Sequence, residues 1–229
     1  MAKKSTKAEE NIQAVEEALG KSERFIEENQ KPITIILLVI VALVLGYFGF
    51  QRFYVQPKEK SAQADMFMAE KYFAQDSLDL ALNGDGINSG FLDIASDYKF
   101  TKSASLANYY AGAIYMKKGD YENAIDHLKK YKSKDDILRP MALGAIGDAY
   151  VELGNNNKAI SYYLKAADIS NNELSSPVFM MKAGWTYELM EEYQKAIDIY
   201  NKIRTTFPQS QEARELEKYI ARAEGLLKK

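Results

Sequence analysis

Gly112, Gly147 and Gly184 each stand three residues ahead of a tyrosine, namely Tyr115, Tyr150 and Tyr187. Nine residues beyond each tyrosine comes an alanine (Ala124, Ala159, Ala196), and four further on a large apolar residue (Leu128, Tyr163, Tyr200). The copies of this register are separated by 35 and then 37 residues. A self-similar period in this range specifies stacked supersecondary units, because one unit cannot bury its own apolar face. It also directs the search for function toward a surface rather than a catalytic pocket.

Each glycine falls mid-helix, where it costs about 1 kcal/mol relative to alanine. A cost that recurs has a recurring cause, and close approach of a second helix supplies one. The tyrosine lies one turn later on the same face, beside that contact. A turn follows in every copy: Lys118-Gly119-Asp120, Leu153-Gly154-Asn155 and Met190-Glu191-Glu192. The next helix then presents its alanine and its large apolar residue at i and i+4, on one stripe. Each copy is therefore expected to be a helix-turn-helix hairpin of about 34 residues.

These residues resemble the tetratricopeptide repeat (TPR). The first copy carries Ala111-Gly112, Tyr115, Gly119, Tyr121, Ala124 and Leu128, and the second Ile146-Gly147, Tyr150, Gly154, Ala159, Tyr163 and Ala166. The third carries Ala183-Gly184, Tyr187, Tyr193, Ala196, Tyr200, Ile203 and the closing Pro208. There are departures: Asn108, Leu143 and Met180 occupy the family's Trp position, Asn156 replaces a Tyr, and Glu191 replaces a turn Gly. The resemblance covers residues 105–210 and implies an all-α TPR solenoid.

A degenerate unit is expected to precede these copies. Ile94, Tyr98, Thr101 and Ala104 repeat the spacing of Ile203, Phe207, Ser210 and Ala213 at the end of the third copy. Residues 62–104 then form a divergent hairpin with Asn83-Gly84-Asp85-Gly86 as its turn. Residues 209–227 read as one helix that caps the array.

From Ile33 to Phe50 the chain runs 18 residues without a charge, with Thr34 as the one mild polar residue. Such a helix spans about 27 Å, close to the hydrocarbon thickness of a bilayer. Tyr47, Phe48, Phe50, Phe53 and Tyr54 gather at one end, as in an interfacial aromatic belt. The run starts too late for a cleaved signal peptide and is followed by bulky aromatics rather than a small-residue site. A lipoprotein is excluded, since the chain has no cysteine to acylate. Positive charges near the span balance, three on each side, and Lys3, Lys4 and Lys7 tip the orientation toward a cytoplasmic N-terminus.

The expected organisation is a cytoplasmic amphipathic tail over 1–31, a transmembrane helix over 32–55, and a linker helix with the divergent hairpin over 56–104. Three repeats follow over 105–210 (105–138, 140–173 and 177–210), and a capping helix over 211–229. In the tail, Ile12, Val15, Leu19 and Ile26 keep helical spacing behind the capping box Thr6-Lys7-Ala8-Glu9.

Net charge is near zero, with both signs interspersed, so no basic stripe points to nucleic acid. His127 is the only histidine; it has no second His or Cys to share a metal and reads as a surface residue. Asn83 to Asn88 faintly resembles a calcium loop but lacks the closing bidentate glutamate. No phosphate-binding glycine loop or nucleophile constellation is present. The reading is of a non-enzyme without cofactor, metal or small-molecule substrate.

In a right-handed stack the first helix of every hairpin lines the concave face. Helical spacing around the packing glycines places Tyr109, Met116, Lys117, Met141, Asp148, Glu152, Met181, Trp185 and Glu188 there, with Leu106, Ala113, Gly144, Val151, Val178 and Leu189 beside them. Methionines adapt to irregular partners, and Trp and Tyr anchor interfaces. Asp148, Glu152 and Glu188, with Lys117, are expected to form a mainly acidic rim. Alternatively, the C-terminal helix or the divergent hairpin fills this groove and makes these residues core.

The layout of a short tail, one span and a TPR array resembles the YfgM family, ancillary subunits of the SecYEG translocon. Asn83-Gly84-Asp85-Gly86 and Phe91-Leu92-Asp93-Ile94-Ala95 are similar to the linker of its Bacteroidetes members. The resemblance implies a single-pass protein of the bacterial inner membrane with periplasmic repeats. Its implied partners are the translocon, a membrane-anchored periplasmic chaperone and translocating polypeptides, with no catalytic residues. A scaffold subunit of another envelope or secretion assembly is the alternative. A cytoplasmic array binding chaperone tails is disfavoured, because such arrays carry a basic clamp.

Overall fold

The computed structural model describes Gly20 and residues 27–228, so the tail signals at Thr6, Ile12, Val15, Leu19 and Ile26 lie outside the described residues. The chain divides into two compact units, Met1–Gln56 and Pro57–Lys229. In the first, helix α1 spans Gln30–Phe50 and buries none of its residues. Its apolar window has a mean hydropathy of 2.8, enough by length and composition to cross a membrane. The Thr34 hydroxyl donates to the Gln30 carbonyl at 2.7 Å, so this polar group is satisfied within the helix. A short π-helical segment, Gln51–Val55, follows.

The second unit is all-helical among the described residues. Helices α2 (Gln56–Ala74), α3 (Leu78–Asn83) and α4 (Phe91–Asp97) precede three hairpins. These are α5 (Lys102–Lys118) with α6 (Tyr121–Lys130), α7 (Leu138–Glu152) with α8 (Asn156–Ser170), and α9 (Ser176–Leu189) with α10 (Tyr193–Thr206). A 3-10 turn, Glu212–Glu215, leads into α11 (Leu216–Leu227). From α3 onward the helices pack chiefly on their neighbours in sequence, as a solenoid requires.

The repeated glycines face the repeated large residues. A methyl group at Gly112 would lie 2.6 Å from Leu128 Cγ, at Gly147 2.5 Å from Tyr163 Cε1, and at Gly184 2.3 Å from Tyr200 Cε1. The glycine thus makes the hollow into which the second helix drops its side chain. Three apolar clusters run in series along the array. The first joins Met66 and Ala69 of α2 to Phe91, Ile94, Ala107 and Ile114. The second centres on Ile146, Tyr150 and Tyr163, and the third on Tyr200, Ile203, Leu216 and Ile220.

Residues 62–104 are hairpin-like, but the return arm is two short helices, α3 and α4, rather than one. Asp85 organises the turn between them. Its carboxylate accepts from the Ile87 and Asn88 backbone N–H groups at 2.8 and 2.6 Å and from the Tyr72 hydroxyl at 2.6 Å. The spacing shared by the first and last boundaries is one hydrogen-bond motif used twice. Thr101 Oγ1 donates to the Tyr98 carbonyl and accepts from Ala104 N–H, while Ser210 Oγ donates to the Phe207 carbonyl and accepts from Ala213 N–H. That second cap is why the segment expected as one helix from 209 to 227 begins with a 3-10 turn. Leu216, Ile220 and Ala223 then form the buried stripe of α11.

The hairpin turns of the first two repeats use left-handed glycines, Gly119 with φ 74° and Gly154 with φ 70°. Glu191 holds the same region at φ 59° without that freedom, and the left-handed region costs an L-residue about 1–2 kcal/mol. Glu191→Gly is expected to raise the melting temperature by about 2–4 °C and Gly154→Ala to lower it similarly, by calorimetry. Gly184→Ala should destabilise by about 1–3 kcal/mol in a denaturant titration, although alanine is the better helix former, because its methyl group meets Tyr200. Stabilisation would show that the hollow can relax.

Candidate functional site

Helices α5, α7 and α9 carry the residues expected on the concave face. Tyr109 is half-buried, its ring 5.2 Å from that of Tyr131, and burial pushes its hydroxyl above the usual phenol pKa. Met116 is also half-buried at the edge of the second apolar cluster. Met141 and Trp185 are open, at 48% and 44% exposure. Met181 is not: at 3% exposure it belongs to the third apolar cluster and offers a partner almost no surface. Gly144 is buried too, because a methyl group there would lie 2.3 Å from Phe179.

The C-terminal segment covers part of the third repeat. Val178, Met181 and Trp185 share a cavity of about 160 Å³ with Gln211, Glu212, Glu215 and Tyr219. Tyr219 of α11 lies 6.0 Å from the Trp185 ring. The C-terminal segment thus covers this part of the third repeat, while Met141 in the second stays exposed.

The charged residues do not form a free acidic rim. Asp148 accepts from the Tyr163 hydroxyl at 2.6 Å, and Lys182 of the next hairpin donates to both its oxygens at 2.8 Å. Glu188 accepts from the Tyr200 hydroxyl, and Arg222 of α11 donates to both its oxygens at 2.9 and 3.0 Å. Lys117 pairs with Asp76 at 2.8 Å. Burial first, and then the Glu152 charge, push the Tyr121 hydroxyl above the usual phenol pKa. Two repeats thus share one device, in which the large tyrosine of the second helix holds a first-helix carboxylate that grips a cation on the following helix. The tyrosines at this register position were the sequence signal for it. The carboxylates shift by three residues relative to the packing glycine, from Asp148 to Glu188, and this hides the device in a repeat alignment.

His127 is half-buried rather than on the surface. Its Nδ1–H donates to Asn108 Oδ1 at 2.9 Å, Asn108 Nδ2 donates to the Ala104 carbonyl, and the imidazole stacks on Tyr115 at 5.4 Å. Burial, with the nearby Lys130 charge, holds its pKa below the ordinary histidine value. Asn108, which stands where the repeat family has Trp, is thus a structural hydrogen-bonding residue.

Residues 106–135 and 179–210 match one tetratricopeptide-repeat family model, and residues 142–173 match another. Among solved structures, MamA protein shares 21% identity over 74% of this chain and 89% of that one, with a TM-score of 0.52. A Podosopora anserina kinesin light chain with nearly identical TPR-like repeats shares 13% identity over 73% and 87%, with a TM-score of 0.54. No curated protein matches the chain. At these identities the structures establish the fold alone. The chain carries tetratricopeptide repeats in an all-helical solenoid, preceded by an apolar helix. Its repeats make it a protein-interaction module.

The Tyr163 and Tyr200 hydroxyls are held well above the usual phenol pKa, by burial first and then by the bonds to Asp148 and Glu188. A raised folded pKa means that this stability is fully present below the unfolded value near 10.0 and is lost as pH rises beyond it. Denaturation midpoints are expected to fall steeply above that pH, and Tyr163→Phe with Tyr200→Phe should flatten the decline. An unchanged alkaline slope would refute this role.

Proposed function

We propose that the chain is a single-pass inner-membrane protein, N-terminus cytoplasmic and repeats periplasmic, that serves as an ancillary subunit of the Sec translocon. In this reading α1 anchors it in the bilayer, and the array handles newly translocated polypeptides together with a membrane-anchored periplasmic chaperone. One observation carries the reading: a fully uncovered apolar helix stands in the same chain as an array whose first-helix face leaves Met141 and Trp185 accessible. Tyr109, Met116, Lys117, Asp148, Glu152 and Glu188 surround these two anchors in the proposed partner-binding groove. Met181 supports the groove from beneath. The similarity of layout to the YfgM family supplies the translocon as the partner.

Topology and partner are separately testable. The chain lacks cysteine, so Ser5→Cys and Asn157→Cys can be labelled singly with a membrane-impermeant thiol reagent; Ser210 is too buried for this purpose. Labelling of Asn157→Cys in intact cells, and of Ser5→Cys only after lysis, is expected; the reverse pattern overturns the topology. A photo-crosslinking residue at Met141 should capture translocon subunits, and Trp185→Ala should weaken that capture about tenfold with an unchanged melting curve. Capture of outer-membrane components instead would assign the chain to another envelope assembly.

A further inference from the structure

A second recess lies where the first repeat meets the helix before it. It is a cleft of about 630 Å³ between α4, the start of α5 and the end of α6. Leu92, Ala95 and Ala104 supply apolar lining, and Lys99, Lys102, Lys130 and Lys132 supply four ammonium groups. No Asp or Glu lines it. Of the nearby carboxylates, Glu59 accepts from the Lys102 and Ser103 N–H groups, Asp93 from Gly90 N–H and Asp97 from the Ser96 hydroxyl, while Asp126, exposed beside His127, does not line the cleft. Among the described residues none of the four lysines forms an ion pair.

Two further features mark the cleft as built. Phe100 stands at its edge with φ 72° and 74% exposure. A bulky residue held in the left-handed region is strained, and such strain concentrates at binding sites. The chain after α6 is pinned at Lys132, whose N–H donates to Ser105 Oγ at 2.8 Å while that hydroxyl donates back to the Lys132 carbonyl at 3.1 Å. Beyond this clamp an adjoining recess of about 600 Å³ shares Lys102, Ser105 and Lys132 and adds Tyr131 and Lys134. It also contains Asp135, which accepts from the Ile137 and Leu138 N–H groups.

We propose that this lysine-lined trough is a second docking site, which binds an acidic peptide segment of a protein partner with carboxylates on either side of an apolar side chain. Charge complementarity selects the anion, since four unpaired cations repel one another until a polyanion neutralises them. The apolar lining favours a segment with a hydrophobic residue over a bare phosphate. The recessed shape and its continuation past Ser105 favour an extended peptide over a flat bilayer surface. The four lysines and the cleft between them share no residue with the Met141–Trp185 face, and only the adjoining recess reaches it, at Leu106, so lysine variants test the trough independently of the proposed function.

The test uses the full chain in neutral detergent micelles and a fluorescein-labelled hexapeptide, Glu-Glu-Leu-Phe-Glu-Glu, read by fluorescence anisotropy. Binding is expected, about tenfold weaker at high salt. Lys102→Glu combined with Lys130→Glu should weaken it at least about tenfold, while Lys165→Glu with Lys202→Glu changes it less than about twofold. If the first pair disturbs folding, Lys99→Gln with Lys132→Gln provides the same comparison. Unchanged affinity in a folded cleft variant would overturn the proposal, as would equal binding of the peptide with glutamine in place of glutamate. Displacement of the peptide by phosphatidylglycerol vesicles but not by unlabelled peptide would also overturn it, assigning the lysines to lipid headgroups.

Discussion

Everything else in the array depends on a missing side chain. At Gly112, Gly147 and Gly184 the absence of a methyl group lets the second helix of each hairpin lay Leu128, Tyr163 or Tyr200 against the first-helix backbone. The helix-propensity cost of about 1 kcal/mol per glycine is offset by burying a large side chain, a gain of about 1.5–3 kcal/mol. Because the contact is local to one hairpin, the core forms as separate clusters. Stability then accumulates along the array instead of radiating from a centre.

The same contact sets up the polar chemistry. Once Tyr163 and Tyr200 are seated over their glycines, their hydroxyls reach the first-helix carboxylates, which become fixed acceptors for Lys182 and Arg222. Packing thus positions a hydrogen bond, and the hydrogen bond positions an ion pair between consecutive hairpins. Met141 and the open part of Trp185 lie outside this network.

The hairpins were legible in the sequence because glycine, tyrosine, alanine and the large apolar residue recur at fixed spacing. The Thr101 and Ser210 boundaries were legible for the same reason. Three features were not, or only in part. Met181 reads as groove-facing by helical spacing, but the covering segment 211–223 buries it, and spacing within one helix carries no information about what a later segment covers. Asp148 and Glu188 read as part of an acidic rim, because the lysine and arginine that engage them lie on other helices. The cationic trough was only half legible: Lys130 and Lys132 belong to the basic run at 129–134, but nothing in the sequence brings Lys99 and Lys102, about 30 residues earlier, beside them. His127 was misread for a related reason: its partner, Asn108, occupies a position that the repeat pattern gives to Trp.

The tyrosine-held ion pairs are unevenly distributed. They join the second hairpin to the third and the third to α11, whereas the first and second hairpins meet through the Lys129–Tyr150 hydrogen bond and the apolar contact of Ile125 and Leu128 with Ala142 and Ile146. Leu128 stands where the other repeats have tyrosine, so the first repeat has no hydroxyl to offer. Dissolved salt screens ion pairs far more than apolar contacts. Rising ionic strength therefore acts unevenly along the array: it loosens the two C-terminal joints and the exposed Lys117–Asp76 and Lys118–Asp79 pairs that tie the first repeat to the helices before it, and acts least on the apolar contact between the first and second hairpins.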